Sequence, residues 1–411
     1  MPVLLRCAVY SRLSHSHRRS TVHQENCVGQ FAGIGAAIFE ANLLAATCAR
    51  VCPVEELCVG ACVLGGEHKP IAIGRLQRYT MDSIAGRERQ AITIAAPTGR
   101  NVAVIGSSPA GLSCAGELAR RGHTVTIFEK RPIAGGLSTF GIIALREPME
   151  AALAEVQMIE RLGVRIETGA ELGGNLDICD LQKRFDAVFL GVGLGATPAL
   201  GIPGEEMIED GLSYIEQSKV NPARLARGRN VVVIGAGNTA IDCATVAKRL
   251  GAEHVMMVYR RSAREMTAYP HEYDFIKNEG VEIRFPTQPV RVLSEAGRIT
   301  GLACIPMELG PLEQTGRAAP IPSGSAPFVI PADRVVKAIG QQKLPLANQL
   351  GLATESGFIR VDSNFETSLT GVFAGGDCIR AKNAASTVMA VQDGKVAAEA
   401  IHQRIGKETH G

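Results

Sequence analysis

The sequence has little net charge, no long apolar run and no closely spaced cysteines beyond residue 62. A formal net charge of +2 over 411 residues gives no reason to expect nucleic acid or a membrane surface as a partner. Glu40 and Asn42 interrupt the best apolar stretch, so no segment reaches the roughly 18 apolar residues of a membrane-spanning helix. A cytoplasmic location is the default expectation.

The cysteines beyond residue 62 are scattered singly, with no pair at the short spacing of a redox-active dithiol, so thiol–disulfide exchange is not expected in this region. Their isolation predicts buried small hydrophobic side chains. They are Cys114, Cys179, Cys243, Cys304 and Cys378.

A glycine-rich turn at residues 106–111 follows a β-branched apolar run and opens an alanine-rich amphipathic stretch. A second apolar run ends at Glu129, about twenty residues further on. This order of strand, turn, helix, strand and acid predicts a dinucleotide site, where backbone N–H groups approach a pyrophosphate and the acid accepts ribose hydroxyls. The alternative is a plain glycine turn with a solvated Glu129. The candidate contacts are Gly106, Ser108, Pro109, Ala110, Gly111 and Glu129.

Ser108 occupies the place of the middle glycine in this fingerprint. Its Cβ is expected to crowd the approach of the pyrophosphate. The sequence therefore predicts a weaker affinity at this turn with the fold unchanged.

A second turn of the same kind follows the run at residues 231–234, but no acid follows its second strand. Arg260 and Arg261 stand there, with Arg264 close behind, and guanidinium groups favour a 2′-phosphate. The pattern predicts NADPH in preference to NADH, and the alternative is a solvated basic loop. The other candidate contacts are Gly235, Gly237, Asn238, Thr239 and Ala240.

Two dinucleotide sites in one chain suggest a resident flavin and a visiting nicotinamide cofactor. Near the C-terminus, Gly376 and Asp377 end an apolar run, and a helical stretch begins at Thr387 and Val388. The Asp can bind ribityl hydroxyls, and the helix dipole can face the flavin pyrimidine. The alternative is a simple core strand and helix. The first turn and this segment together predict an FAD site made from two distant pieces of chain.

The order of these motifs resembles the pyridine-nucleotide-disulfide-reductase superfamily, within it the branch of the glutamate synthase small subunit and the flavin-bearing part of dihydropyrimidine dehydrogenase. The resemblance implies that Gly135, Gly136 and Leu137 lie against the flavin. The matching stretches are GSSPAGL from Gly106, AGGLSTFGI from Ala134, FLGVGLGATP from Phe189, VIGAGNTAID from Val233, YRRSAREM from Tyr259, AIGQ from Ala338 and FAGGD from Phe373.

The resemblance implies hydride transfer from NADPH, with NADH also possible, to FAD. That chemistry belongs to the cofactors, so no catalytic side chain is expected. Electrons would pass to a large catalytic partner subunit. A pyrimidine-reducing partner is the first hypothesis, because the IGRLQRY stretch resembles that branch more closely, and a glutamate synthase partner is the second. A different class of hypothesis is a nucleotide-binding remnant that lacks clusters and serves no partner.

Four cysteines within fifteen residues, Cys48, Cys52, Cys58 and Cys62, indicate iron–sulfur ligation rather than a disulfide framework. The resemblance implies two [4Fe–4S] clusters with ligands at Cys52, Cys58, Cys62 and Gln77, but not at Cys48. It also implies an upstream Cys-x2-Cys-x4-Cys-x3-Cys-Pro segment, which this chain lacks. One cluster would keep only Cys62 and the other would lack one ligand, so neither is expected to be complete.

Residues 1–33 are anomalous: the stretch before Glu25 has no acid and is rich in Arg, Ser and His. A transit peptide or a disordered basic tail is one interpretation. The other interpretation is a frameshift. Where one codon ends in TG and the next begins with T or C, the +1 reading frame contains a cysteine codon, TGT or TGC. Met1, Leu4, Val9 and Leu13 can supply such codons at the spacing of the missing segment.

The predicted fold is α/β, with two Rossmann-like doubly wound dinucleotide-binding domains and a small N-terminal α-helical domain of iron–sulfur type. The predicted boundaries are 1–33 for the tail, 34–99 for the helical cysteine-containing domain, 100–197 with 332–411 for the FAD-binding domain, and 198–331 for the NAD(P)-binding domain. Residues 310–331 are predicted to be loop or hairpin.

Overall fold

The computed structural model describes residues 31–86, 92–225, 227–313, 316–380 and 386–407. The predictions for Met1, Leu4, Val9 and Leu13 lie outside these residues. The chain divides into two compact units. The first comprises the described residues up to Thr139, Arg146–Leu194 and the described residues from Lys343 on, and the second comprises Phe140–Leu145 and Gly195–Gln342.

Helices and strands alternate along most of the chain. The α-helices are α1 (Phe31–Ala41), α2 (Ala45–Val51), α3 (Ile73–Ser83), α4 (Pro109–Arg120), α5 (Gly136–Phe140), α6 (Met149–Arg161), α7 (Ile178–Arg184), α8 (Gly211–Val220), α9 (Asn238–Arg249), α10 (Pro270–Asn278), α11 (Leu346–Gln349) and α12 (Thr387–Lys407). The strands are β1 (Asn101–Ile105), β2 (Thr124–Glu129), β3 (Arg165–Thr168), β4 (Ala187–Leu190), β5 (Glu209–Asp210), β6 (Asn230–Ile234), β7 (His254–Val258), β8 (Glu282–Arg284), β9 (Thr287–Glu295), β10 (Arg298–Leu312), β11 (Ala318–Pro322), β12 (Phe328–Pro331), β13 (Arg334–Lys337), β14 (Thr354–Glu355), β15 (Phe358–Ile359) and β16 (Val372–Ala374).

A parallel five-stranded sheet in the order β16-β4-β1-β2-β3 forms the centre of the first unit. Its inner strands are apolar on both faces because helices cover both sides of a parallel sheet. One core contains Val102 and Val104 with α4 and α12, and the other contains Ala103 and Ile105. Alternate residues of β1 thus point into different cores.

Helices α1, α2 and α3 precede this sheet, and Leu43, Leu44 and Cys48 join its larger core. The helical character predicted for residues 34–99 is therefore observed in the part that is described. Among the described residues, no single helix is long and apolar enough to span a membrane. One pair, Gly33–Ala41 and Ala45–Val51, bent by 82°, passes that test only when both helices are taken together.

The second unit contains a parallel sheet in the order β5-β13-β6-β7-β8. It also contains an antiparallel sheet in which β10 pairs with β9, β11 and β12. The described part of the segment predicted as loop or hairpin, residues 310–331, supplies the end of β10 together with β11 and β12. The predicted α/β class is confirmed.

One predicted boundary is wrong in detail. The FAD-binding segment was expected to resume at residue 332, but β13 pairs with β6 in the second unit, with Arg334 opposite Val231 and Lys337 opposite Ile234. Its short run Val335–Val336 is fully buried, and this apolar pattern fits the middle of either parallel sheet. Only the pairing distinguishes the two sheets.

Candidate functional site

The first glycine-rich turn connects β1 to the N-terminus of α4. Gly106 has φ +92°, and a Cβ there would lie 2.7 Å from the Gly191 carbonyl oxygen, so this position requires glycine. Pro109 is in the first turn of α4, where its missing N–H costs nothing. The positive end of the α4 dipole lies at this turn and can face an anion.

Ser108 is the N-cap of α4. Its Oγ donates to the Gly191 carbonyl at 2.7 Å and accepts from the Gly111 N–H at 3.3 Å. Both bonds hold the side chain against the end of β4 and the first turn of the helix. The predicted crowding of a pyrophosphate by the Ser108 Cβ stays a prediction, but the hydroxyl also has a structural role.

Glu129 ends β2 and is 6% exposed. Its Oε2 accepts from the Ser107 N–H at 2.9 Å and from Ser107 Oγ at 2.5 Å, and its Oε1 accepts from the Arg131 N–H at 2.8 Å. Ser107 Oγ also accepts from the Gly135 N–H at 2.9 Å. Ser107 was not predicted from the sequence, although its place beside Ser108 in the turn was the available signal. It links the acid, the turn and the segment at Gly135.

Gly135 and Gly136 have φ +112° and +57°. A Cβ on Gly135 would meet Thr139 Oγ1 at 1.9 Å, and one on Gly136 would meet Ser108 Cα at 3.0 Å. The segment therefore lies against the first turn, as only glycine permits. Leu137 is 39% exposed beside it. An apolar side chain that stays accessible beside the first turn can contact a planar ligand.

The turn after β16 lies at the same helix end. Gly376 has φ +82°, and a Cβ there would lie 3.1 Å from the Ala110 Cβ. Its N–H donates to Asp393 Oδ2 at 3.0 Å, and Arg380 pairs with the same carboxylate. Asp377 has no side-chain hydrogen bond to any residue that the structure describes, and burial raises its pKa. This carboxylate can accept hydrogen bonds from the hydroxyl groups of a ligand.

Helix α12 begins at Thr387 and packs closely on α4. A Cβ on Gly394 would lie 2.1 Å from the Ala110 carbonyl oxygen, and Ser113 Oγ donates to the Val391 carbonyl at 2.8 Å. Val388 is buried and Thr387 half-buried. The structure thus brings the predicted FAD residues of both chain segments to one region of the first unit.

The second turn has the same construction in the second unit. Gly235 has φ +135°, and a Cβ there would lie 2.1 Å from the Ala338 carbonyl oxygen. Gly237 is the N-cap of α9, and Asn238 Oδ1 accepts from the Tyr269 N–H at 3.2 Å. Thr239 is half-buried and Ala240 is fully buried in the first turn of α9. The predicted backbone contacts surround one helix N-terminus.

The arginines that follow β7 have different environments. Arg260 and Arg264 are exposed, but Arg261 is 4% exposed. Arg261 Nε donates to the Ala318 carbonyl and Nη2 donates to Glu313 Oε2, each at 2.8 Å. The sequence prediction treated Arg260 and Arg261 alike, and the structure separates them.

The predicted cluster ligands lie around α2 and α3. Cys52, Cys58 and Cys62 are half-buried, and burial raises the pKa of Cys58. Cys62 Sγ accepts from the Ile71 N–H at 3.5 Å, and Gln77 Nε2 donates to the Ala45 carbonyl at 2.9 Å. Across the described ranges, no three His, Cys, Asp or Glu side chains converge in a way that could hold a metal ion. These residues do not, by themselves, provide the four ligands that a cluster needs.

Four of the five isolated cysteines are buried, as predicted, and burial raises the thiol pKa of Cys114, Cys243, Cys304 and Cys378. The prediction is wrong for Cys179, which is exposed. It lies in the first turn of α7, where its N–H donates to the N-cap Asp177 at 2.8 Å and its side chain faces away from the core.

Comparisons with known proteins agree with this geometry. Residues 100–394 match the family described as pyridine nucleotide-disulphide oxidoreductase. Residues 23–89 match the family described as dihydropyrimidine dehydrogenase domain II, 4Fe-4S cluster.

Two curated relatives and one solved structure illustrate the similarity. The chain is 35% identical over 404 residues to the NADP(+)-dependent formate dehydrogenase subunit beta of Moorella thermoacetica, covering 91% of this chain and 56% of that protein. It is 32% identical over 389 residues to the glutamate synthase [NADPH] small chain of Escherichia coli, covering 88% and 81%. Mycobacterium tuberculosis FprA in complex with NADPH has a TM-score of 0.61 at 17% identity, covering 76% and 86%, which shows a shared fold. The chain thus spans little more than half the length of the formate dehydrogenase relative.

Proposed function

Because the chain belongs to the pyridine nucleotide-disulphide oxidoreductase family, we propose that it accepts hydride from NADPH on bound FAD and delivers the electrons to a partner subunit. The family resemblance predicted from the motifs is confirmed, and so is the class of NAD(P)H-dependent flavin oxidoreductase. The observation that carries the proposal is the pair of glycine-rich turns, one at a helix N-terminus in each parallel sheet.

The residues of the first unit fit FAD. Gly135 and Gly136 allow their segment to pack directly on the first turn, where any Cβ would clash with Thr139 or Ser108, and the Asp377 carboxylate has no side-chain hydrogen bond within the described residues. We assign the pyrophosphate to the first turn and the N-terminus of α4, and the ribityl hydroxyls to Asp377. Glu129, which already accepts bonds from Ser107 and Arg131, is assigned to the ribose through its remaining lone pairs.

The proposed contributions of the remaining residues are binding and orientation. Flavin, when bound, supplies the change from two-electron to one-electron transfer. Leu137 covers the ligand, and Thr387 and Val388 direct the N-terminus of α12 toward negative charge on it. No side chain is proposed as a general acid or base. In the second unit, Arg260 attracts the 2′-phosphate of the dinucleotide.

Residues 23–89 are of a 4Fe-4S domain type, but the described ligands do not fit a complete cluster, so no electron step is assigned to one. The partner is proposed to be a large catalytic subunit. The name of this domain type supports a pyrimidine-reducing partner, and the match over 81% of the Escherichia coli small chain supports a glutamate synthase partner. Reconstitution with each class of large subunit, read as NADPH-dependent product formation, distinguishes them. We also infer a cytoplasmic location, the default for such an enzyme.

The test of the proposal is the visible spectrum of the purified chain followed by anaerobic titration with NADPH and NADH. We expect flavin absorbance that NADPH bleaches at lower concentration than NADH. Asp377→Asn should weaken FAD binding by about ten- to a hundredfold, because hydrogen bonds to a charged group contribute about 1.5–3 kcal/mol.

Asp274→Asn, an exposed change on α10, is the matched control and should leave FAD binding unchanged. A chain that shows no flavin absorbance even after incubation with excess FAD would refute the assignment.

A further inference from the structure

We propose that Arg261 is a positioning residue: it fixes the segment after β7, residues 259–268, to the β10–β11 hairpin and thereby holds the exposed Arg260 and Arg264 of the proposed NADPH site in place. This inference rests on the proposed function, since it concerns the same NADPH site. It gives different roles to two adjacent arginines, Arg260 and Arg261, to which the sequence pattern assigns the same role.

The guanidinium group of Arg261 is committed to the hairpin. Its two bonds reach the Ala318 carbonyl, at the start of β11, and Glu313, immediately after β10. Leu312 pairs with Ala318 in the ladder, and the Glu313 N–H donates to the Arg317 carbonyl at 2.8 Å. Both acceptors therefore belong to the end of one hairpin. A phosphate at this guanidinium group would be repelled by the neighbouring Glu313 carboxylate.

The rest of the segment is fixed by its own hydrogen bonds. Ser262 and Glu265 form a capping box, in which Ser262 Oγ accepts from the Arg264 N–H at 3.2 Å. Tyr259 Oη donates to the Glu265 carbonyl at 2.8 Å. These bonds turn Ser262 and Glu265 toward the segment itself and leave the side chains of Arg260 and Arg264 exposed.

The segment also contacts the second glycine-rich turn. The N–H groups of Thr267 and Ala268 both donate to the Ala236 carbonyl, at 3.3 and 3.2 Å. A Cβ on Gly237 would lie 3.1 Å from Thr267 Oγ1. The position of the two exposed arginines relative to the turn therefore depends on how firmly the segment is held. Arg261 provides that hold from the hairpin side.

The experiment compares Arg260→Ala, Arg264→Ala, Arg261→Lys and Glu313→Gln in the full chain. Binding of 2′,5′-ADP and of 5′-AMP is measured by calorimetry. We expect Arg260→Ala and Arg264→Ala each to weaken 2′,5′-ADP binding by about tenfold and to leave 5′-AMP unchanged. Arg261→Lys and Glu313→Gln should weaken both ligands by the same factor, because they loosen the segment. Glu308→Gln, an exposed change on β10, is the control.

Glu313→Gln provides the sharpest distinction. If Arg261 read the 2′-phosphate, removal of the competing carboxylate would tighten 2′,5′-ADP binding while 5′-AMP stayed the same, and that result would overturn the proposal. Limited proteolysis of the ligand-free chain gives a second readout: Arg261→Lys should speed cleavage at the hairpin, and Arg260→Ala should not. If Arg261→Lys were cleaved at the same rate as wild type, the positioning role would be overturned. This readout needs no bound nucleotide. Failure of wild type to bind NADPH is a separate result, and it would refute the proposed function.

Discussion

At the scale of single residues, Ser108 shows how a departure from a motif can have a structural reason. Its hydroxyl caps α4 and also bonds to the Gly191 carbonyl at the end of β4. A glycine in that place would make neither bond. The residue that the sequence marks as a defect in a binding turn therefore stabilises the helix whose N-terminus forms that turn.

Ser108→Ala should lower the free energy of unfolding by about 1 kcal/mol, the usual effect of losing an N-cap. Urea denaturation of the FAD-free chain measures this effect. Ser213→Ala, an exposed change in the first turn of α8, should alter stability much less. Equal stability of Ser108→Ala and wild type would show that the cap contributes nothing. Tighter FAD binding by Ser108→Gly would support the crowding predicted from the sequence.

The places of the candidate site residues along the chain were largely predictable from the sequence, but their hydrogen-bond partners were not. The acid at the end of β2 follows from strand order, because carboxyl ends of parallel strands meet at one edge of a sheet. The bridge from Ser107 to Glu129 depends on a rotamer that no pattern specifies. Arg260 and Arg261 could not be separated either. Successive side chains in extended backbone point to opposite sides, and the sequence does not say which side is covered.

At the scale of elements, the N-terminus of α2 is held by a carboxylate from α6. Glu155 accepts from the Ala46 N–H at 2.7 Å and from the Thr47 N–H at 3.2 Å. Burial, with the nearby Glu147 carboxylate adding to it, raises the pKa of Glu155 to about 7. The helix that leads into Cys52 is thus attached to α6 by a group whose pKa is raised to about 7.

The pH dependence of stability follows from that pKa. Folding favours the protonated form of Glu155, so its contribution is complete below the usual value of 4.5 and is lost as the pH rises through about 7. We expect Glu155→Gln, which mimics the protonated acid, to gain stability relative to wild type between pH 5 and pH 8, by up to about 3 kcal/mol. Urea denaturation at both pH values measures the difference.

Comparing Glu155→Gln with wild type also cancels the contributions of other titratable groups to the pH dependence of stability, because both proteins contain those groups. His123, whose pKa burial lowers to about 4, changes stability in the opposite direction over part of this range and is present in both proteins. Glu150→Gln, an exposed change on the same helix, should show the pH profile of wild type. A parallel profile for Glu155→Gln would contradict the raised pKa.

At the scale of the whole molecule, two parallel sheets and their glycine-rich turns were predictable because each βαβ unit carries its own local signal. The place where the chain returns to the first unit was not. Residues 334–337 form a buried strand with no turn motif, and they join the second sheet. Long-range pairing decides such a strand, and local sequence does not encode it.

The last prediction concerns the relation between cofactor content and electron delivery. Two [4Fe–4S] clusters need eight ligands, and the resemblance finds four of them, Cys52, Cys58, Cys62 and Gln77, in the chain. We expect iron and acid-labile sulfide well below about eight atoms each per chain. Reduction of an artificial dye by NADPH should persist, because it needs only the flavin. Cys52→Ser should leave that dye reduction unchanged.

Iron near the full complement, with brown colour and electron delivery to a partner, would show that other residues complete the clusters. The nucleotide sequence of the gene independently tests why the upstream cluster ligands are missing. If the codons for Met1, Leu4, Val9 and Leu13 spell cysteine in the +1 frame, then restoring that frame should restore the clusters and electron transfer to a partner together. If they do not, the frameshift hypothesis fails, and the basic N-terminal stretch is better explained as a tail or targeting segment.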